Sequence, residues 1–339
     1  MKKKIILATV VASSLMASSQ MVTEAKQAGL KAIPESKTEL LKLIDNPKNH
    51  ITEEKVELGK KLYFDPRLSK SGLISCNTCH NLSKGSDDGM EAAIGHKWTA
   101  NPQHLSSPAV YNAVFNDRQF WDGRSPDLED QAQGPIQASP EMAATPKHVV
   151  DTVTSMPEYV KEFKTAYGKN VDINFKKVAD TIATFERTLV TPSAFDAFMN
   201  GNNDAMTKQE KDGLKTFIKV GCASCHNGIG VGGSMGAMNV VATYKYMGTG
   251  DFKGDKNGMV RVPTLRNITE TAPYFHNGMV KTLKDAIKEM ARIQLGTKLT
   301  DKEVTEIESF LGALKGQKPN ISVPMLPASN SKTPQPKVD

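Results

Sequence analysis

A chain of 339 residues is longer than one compact core of cytochrome size needs and comfortable for two. With 24% charged and 39% hydrophobic residues it has the composition of a water-soluble globular protein. Basic residues are dispersed and aromatics are only 6%, which excludes a nucleic-acid-binding footprint. The formal charge of +6 is partly N-terminal: residues 1–25 hold three lysines and Glu24, so their removal leaves +4.

The first segment reads as an export signal. Lys2, Lys3 and Lys4 precede a short apolar run, Ile5 to Met16. Ala17, Ser19 and Ala25 are candidate cleavage points, and 1–25 is taken as the signal. The apolar run is shorter than the ~20 residues a spanning helix needs. No cysteine follows it, which excludes a lipid-anchored lipoprotein. The expectation is a periplasmic protein with no membrane span after cleavage.

Helices are expected over Glu39–Ile44 and Glu53–Tyr63, the second stopped by Pro66. Residues 83–108, rich in Gly, Ser, Asp and Pro, read as a long functional loop. Further helices are expected over Lys147–Tyr167 and Asn174–Leu189, the latter striped by Val178, Ile182, Phe185 and Leu189. Thr207 and Glu210 form a capping box, and that helix ends at Gly221. Thr282 with Asp285 opens a helix through Met290. Thr300 with Glu303 opens the last, with Val304, Ile307, Phe310, Leu311 and Leu314 as its buried stripe. Residues 317–339 read as an irregular tail. No strand pattern is sustained, so the class is mainly α.

All four cysteines fall in two motifs, Cys76-Asn-Thr-Cys79-His80 and Cys222-Ala-Ser-Cys225-His226. Both are C-x-x-C-H, the attachment signature of haem c. Two thiols must meet the two vinyl groups on one porphyrin edge, and the adjacent His must swing beneath the ring to the iron. A zinc ribbon would need the two Cys pairs around one metal. Residues 79 and 222 are 143 apart, and both His would stay unexplained. A thioredoxin-like site would need a βαβ context that is absent. The expected architecture is two cytochrome c-like domains, 26–190 and 191–316, each with one covalently bound haem.

From about Leu58 to Leu314 the chain resembles the bacterial di-haem cytochrome c peroxidases. The resemblance rests on Leu62-Tyr63-Phe64-Asp65-Pro66-Arg67-Leu68-Ser69, Gly95-His96-Lys97-Trp98, Phe120-Trp121-Asp122-Gly123-Arg124, Phe185-Glu186-Arg187 and Thr271-Ala272-Pro273-Tyr274-Phe275-His276-Asn277-Gly278, besides the haem motifs. It implies a peroxidatic haem held by Cys76, Cys79 and His80 and an electron-transfer haem held by Cys222, Cys225 and His226. His96 is implied as a distal ligand of the first haem, able to come and go, and Met290 as the distal ligand of the second. Met290 in place of a Tyr favours a peroxidase over the related oxygenase branch. Trp121 is implied to lie between the haems, with Glu141 and Gln131 in the peroxide pocket. The family's interdomain calcium implies Thr271 and Pro273 as carbonyl donors. Its usual Asn is here Ser106, a weaker neutral ligand.

The implied activity is reduction of hydrogen peroxide to water by a homodimer. Electrons would come from a small donor, either a monohaem cytochrome c or a cupredoxin. A pure electron carrier would need neither Glu141 nor a labile His96.

Overall fold

The computed structural model describes residues 18–238 and 241–338. The expected signal therefore lies largely outside the described residues. Its last part does not: residues 18–27 are helical, and Met21 and Ala25 are buried.

The chain folds as short helices around two main apolar cores. The first half contains α1 (Lys37–Ile44), α2 (Glu53–Phe64), α3 (Cys76–Cys79), α4 (Leu128–Gln131), α5 (Gln133–Gln137), α6 (Pro146–Ser155), α7 (Pro157–Tyr167) and α8 (Phe175–Arg187). The second contains α9 (Ala194–Met199), α10 (Lys208–Lys219), α11 (Leu283–Leu295) and α12 (Asp301–Ala313). The single helix expected over 147–167 is two. Pro157 has no N–H to continue α6, so it starts α7 instead, at the first-turn position that proline tolerates. Two three-residue strands, β1 (Met235–Ala237) and β2 (Met259–Arg261), were not expected; they pair antiparallel with Gly236 opposite Val260.

Each half is built on one close helix crossing. In the first, α2 lies on α8, burying Leu58, Leu62, Val178, Ile182 and Phe185. In the second, α10 lies on α12, burying Leu214, Phe217, Val304, Ile307 and Phe310. A glycine permits each approach: a Cβ on Gly59 would stand 2.2 Å from the Thr181 carbonyl oxygen, and one on Gly213 would stand 2.0 Å from that of Glu306. Capping fixes where the helices begin. Thr207 and Thr300 each accept from a backbone N–H three residues on, and Glu210 and Glu303 reach back.

Residues 112–128 of the first half repeat at 267–283 of the second, an interval of 155 positions. Asn112 and Asn267 are both left-handed and each precedes a 3-10 turn, Ala113–Phe115 and Ile268–Glu270. Phe120 and Phe275 both have positive φ, inside the matching bridges Gln119–Ser125 and Tyr274–Val280. Leu128 and Leu283 then open α4 and α11. The halves meet at buried Thr191, whose hydroxyl accepts from Asn112 Nδ2 at 2.7 Å and from Asn267 Nδ2 at 2.9 Å.

The chain ends cross over. Met21, Ala25 and Leu30 pack in the second core, across the boundary expected at residue 26. The tail has no helix, as expected, but it straps back over the first half. Arg67 Nη1 donates to the Pro327 carbonyl and to Ser329 Oγ, both at 2.8 Å. Ser155 is bonded by Asn330 and Thr333, and the Lys337 N–H donates to the Lys70 carbonyl at 2.9 Å.

Candidate functional site

Cys76 and Cys79 occupy one short helical turn, so their side chains lie three residues apart on the same face. Ser75 and Thr78 cap that turn reciprocally. None of the four cysteines is in a disulfide. Burial pushes Cys79 up to about 12 and Cys222 up to about 11, and lifts Cys76 further. Buried neutral thiols suit covalent attachment to an apolar group better than metal ligation, which needs thiolates. His80 follows, with Nδ1 at 2.9 Å from the Pro108 carbonyl and its own carbonyl accepting from Tyr63 Oη at 2.8 Å. A donor Nδ1 leaves Nε2 with the lone pair an iron would take.

The loop holding His96 closes over this motif. Ile94 accepts from Cys79 Sγ at 3.4 Å. His96 is buried in a 3-10 turn whose Lys97 and Trp98 have φ near +60° and +53°, a left-handed pair uncommon for such side chains. The His96 N–H donates to the Glu141 carbonyl at 2.8 Å. A Cβ on Gly95 would stand 2.0 Å from the Pro140 carbonyl oxygen, so only glycine lets the two turns touch. Burial holds the Glu141 carboxyl above its usual range, opposed by Arg124. His96, Glu141 and Cys79 are thus neighbours. Gln131 ends α4, half-buried; its N–H donates to the Asp127 carbonyl at 3.1 Å, and its side-chain amide makes no protein hydrogen bond among the described residues.

In the second half Gly221, at φ +98°, turns the end of α10 into Cys222. A largely apolar cavity of about 220 Å3 opens there. Cys222, Cys225, His226 and Met290 line it together, with Trp121 from the first half. Burial depresses His226 to about 4, so its ring is neutral. The apolar walls, the two thiols and a neutral imidazole suit an apolar macrocycle with an iron between His226 and Met290.

Between the halves, Trp121 Nε1 donates to the Ser106 carbonyl at 2.9 Å, and the Ser106 N–H donates to the His276 carbonyl at 2.8 Å. The Trp121 and His276 rings meet edge-on, with centroids 6.4 Å apart. His276 stands 155 positions after Trp121, so the repeat places its two equivalent residues in contact. The sequence reading missed His276, although the shared spacing of Phe-Trp-Asp-Gly and Phe-His-Asn-Gly was available to find it. Ser106, Thr271 and Pro273 line the same cavity as the second motif, and so does Asp87, a carboxylate that reading also missed. Among the described residues no group of three or more His, Cys, Asp or Glu forms a metal cluster.

Residues 53–204 match the family model of di-haem cytochrome c peroxidase. The chain is 44% identical to the cytochrome c551 peroxidase of Pseudomonas aeruginosa, over 90% of each chain. It is 45% identical to that of Nitrosomonas europaea, over 82% of this chain and 85% of the relative. Among solved structures, it resembles a MauG-like protein associated with microbial copper homeostasis, with a TM-score of 0.69, 25% identity, and 80% and 93% of the two chains covered. The chain belongs to the bacterial di-haem cytochrome c peroxidase family, oxidoreductases that reduce hydrogen peroxide with two haems c.

Proposed function

We propose that the chain reduces hydrogen peroxide in the periplasm with electrons from a small redox protein, and that its two halves divide the work. The observation that carries this division is the contact between the His96 turn and the Glu141 turn beside Cys79. It joins a candidate labile ligand to a candidate proton carrier in one half only. In the other half Met290, on a continuous helix, supports a permanent ligand.

Cys76, Cys79 and His80 hold one haem, and Cys222, Cys225, His226 and Met290 hold the other. When bound, haem c supplies iron coordination and one-electron chemistry. His96 keeps the first site closed until electrons are available, and its left-handed turn is the part that moves. Glu141 holds the proton that cleavage of a peroxide O–O bond requires, moving it from one oxygen to the other. Gln131, whose amide has no protein partner, orients peroxide. Trp121 fills the space between the halves and offers a polarisable path. The donor, a monohaem cytochrome c or a cupredoxin, docks on the second half, and the working unit is a homodimer. A calcium ion at Ser106, Thr271 and Pro273 belongs to the same proposal, with Asp87 compensating for the neutral Ser106.

Export follows from the N-terminal segment. Cleavage after Ala17 or Ser19 fits better than cleavage after Ala25, because the latter would strip Met21 and Ala25 from the second core. Among the described residues no helix is long and apolar enough to cross a membrane.

The test is an optical titration of the holoprotein with about one electron per molecule, followed by peroxide. A high-spin signal on half-reduction and peroxide consumption are expected. The Glu141→Gln variant should show the same spin change with turnover lowered about 100- to 10,000-fold. A spectrum that stays low-spin and ignores peroxide would leave an electron carrier as the better reading.

A further inference from the structure

Glu186 lies in the last turn of α8 with 5% of its surface exposed, and its Oε2 has no hydrogen-bond partner. Two charged neighbours on that helix do have partners for their charge. Asp180 pairs with Lys176 at 2.7 Å, and Arg187 donates to the Asn49 carbonyl at 2.7 Å. A buried carboxyl left unpaired is costly when ionised and costly when unbonded, so its retention points to something that it serves.

Its surroundings say what. Glu186 interacts electrostatically with Glu129 of α4, and on another side with Tyr63 of α2 and with Cys76. One helical turn back, Ala183 packs on Ala113 and Leu128. The carboxyl therefore stands between the thiol that anchors the first haem and the helix that ends in Gln131. A run of polar groups leads from it to solvent. Glu129 Oε1 accepts from Asn46 Nδ2 at 2.9 Å and lies 3.5 Å from Arg187. Arg187 lies 3.7 Å from Asp45, and Asp45 is 2.6 Å from Nδ1 of the exposed His50.

We propose that Glu186 is the group that couples proton uptake to the arrival of an electron at the N-terminal haem site. One electron lowers the charge of that site by one. One proton, drawn from solvent, turns the Glu186 carboxylate into the acid and restores it. Reoxidation returns the proton. Glu186 is a positioning residue in this step, since it acts through charge and is separate from the Glu141 turn. The inference rests on Cys76, Cys79 and His80 holding a haem. Titration in an accessible range supports it: burial first, and then the Glu129 charge, push Glu186 up to about 8. The other groups facing it are Tyr63 and the neighbouring Arg187; Cys76 ceases to titrate once it is joined to haem.

The test is spectroelectrochemical, on the holoprotein, with each haem followed separately from about pH 6 to 10. In the wild type the potential of the N-terminal haem should fall with rising pH over part of this range. The limit is one proton per electron, a tenfold change per pH unit or about 59 mV. Glu186→Gln should abolish that slope, with both haems still bound and the C-terminal haem unchanged. A slope that survives Glu186→Gln, or a wild type without one, overturns the proposal. A wild type carrying no haem at Cys76 and Cys79 would instead refute the underlying reading. If the Gln variant does not hold haem, the redox-difference infrared spectrum of the Glu141→Gln protein decides. A deuterium-sensitive protonated-carboxyl band gained on reduction in alkaline solution is expected, and its absence overturns the proposal.

Discussion

His96 and Glu141 are joined through their backbones, the His96 N–H donating to the Glu141 carbonyl. A side chain that must bind iron or carry a proton cannot also hold the loop in place. Here the Gly95 contact and one N–H to carbonyl bond do the holding. Glu186 has the reverse character, a side chain fixed by burial with no bond to hold it. Its carboxyl sits at about 8 when folded, against 4.5 for an ordinary Glu. Between those values the native state binds the extra proton, so stability is lost as pH rises from about 4.5 through 8. Chemical denaturation of wild type and Glu186→Gln should diverge over that window, by at most about 1.4 kcal/mol per pH unit. Equal pH profiles would place the proton elsewhere. The cysteines and their histidines were legible in the sequence, because covalent attachment fixes their spacing. Glu141 was not legible from the residues themselves, since it lies in a turn without periodicity; only the family resemblance picked it out. Glu186 entered that resemblance only as part of Phe-Glu-Arg, and a helix's apolar stripe says nothing about a carboxyl buried beside it.

At the scale of elements, the 155-position repeat explains why similar scaffolds serve two purposes. Met290 lies on α11, which runs unbroken from Leu283 to Leu295. Its equivalent in the first half is Pro135, within Gln133-Gly134-Pro135, where the corresponding helix breaks into α4 and α5. A proline cannot donate to iron. The first half therefore has no ligand to offer from this helix, which is why the proposed function assigns that place to the His96 loop and Glu141. Met290→His should keep the C-terminal haem low-spin while lowering its potential on the order of 0.1 V or more, within the ~0.8 V that axial ligands span. Redox titration of that haem checks this, and an unchanged potential would remove Met290 from the ligand set. Most helices were legible from capping residues and apolar stripes. The split at Pro157 was available in the sequence and was overridden by the continuous amphipathic pattern on either side of it. The two short strands left no trace, because three residues are too few to show an alternation.

For the whole molecule, each half is finished by the far end of the chain. The stretch 18–33 seals the second core, and the tail fastens the first at Arg67, Lys70 and Ser155. Deleting 327–339 removes the bonds to all three. At about 0.5–1.5 kcal/mol for each of the five bonds, the N-terminal half should lose roughly 2.5–7.5 kcal/mol. Calorimetry of the holoprotein should show one transition lowered and the C-terminal one preserved; a uniform shift of both would mean that the strap serves the interface instead. Composition marked the tail as irregular, which it is. Its docking was invisible, because the contacts use carbonyls and small hydroxyls that any such segment carries.

The crossed ends also set a timetable. If the chain is exported as proposed, N-terminus first, Cys76 and Cys79 emerge some 250 residues before the strap that closes over Arg67 and Lys70. Until the last residues arrive, the first half is unfinished and its thiols remain within reach of whatever joins them to haem. Cys222 and Cys225 have a shorter interval, for the helices that bury their cavity follow within about 100 residues. On the proposed function, topology would order maturation, with the slower-closing site being the one assigned to peroxide.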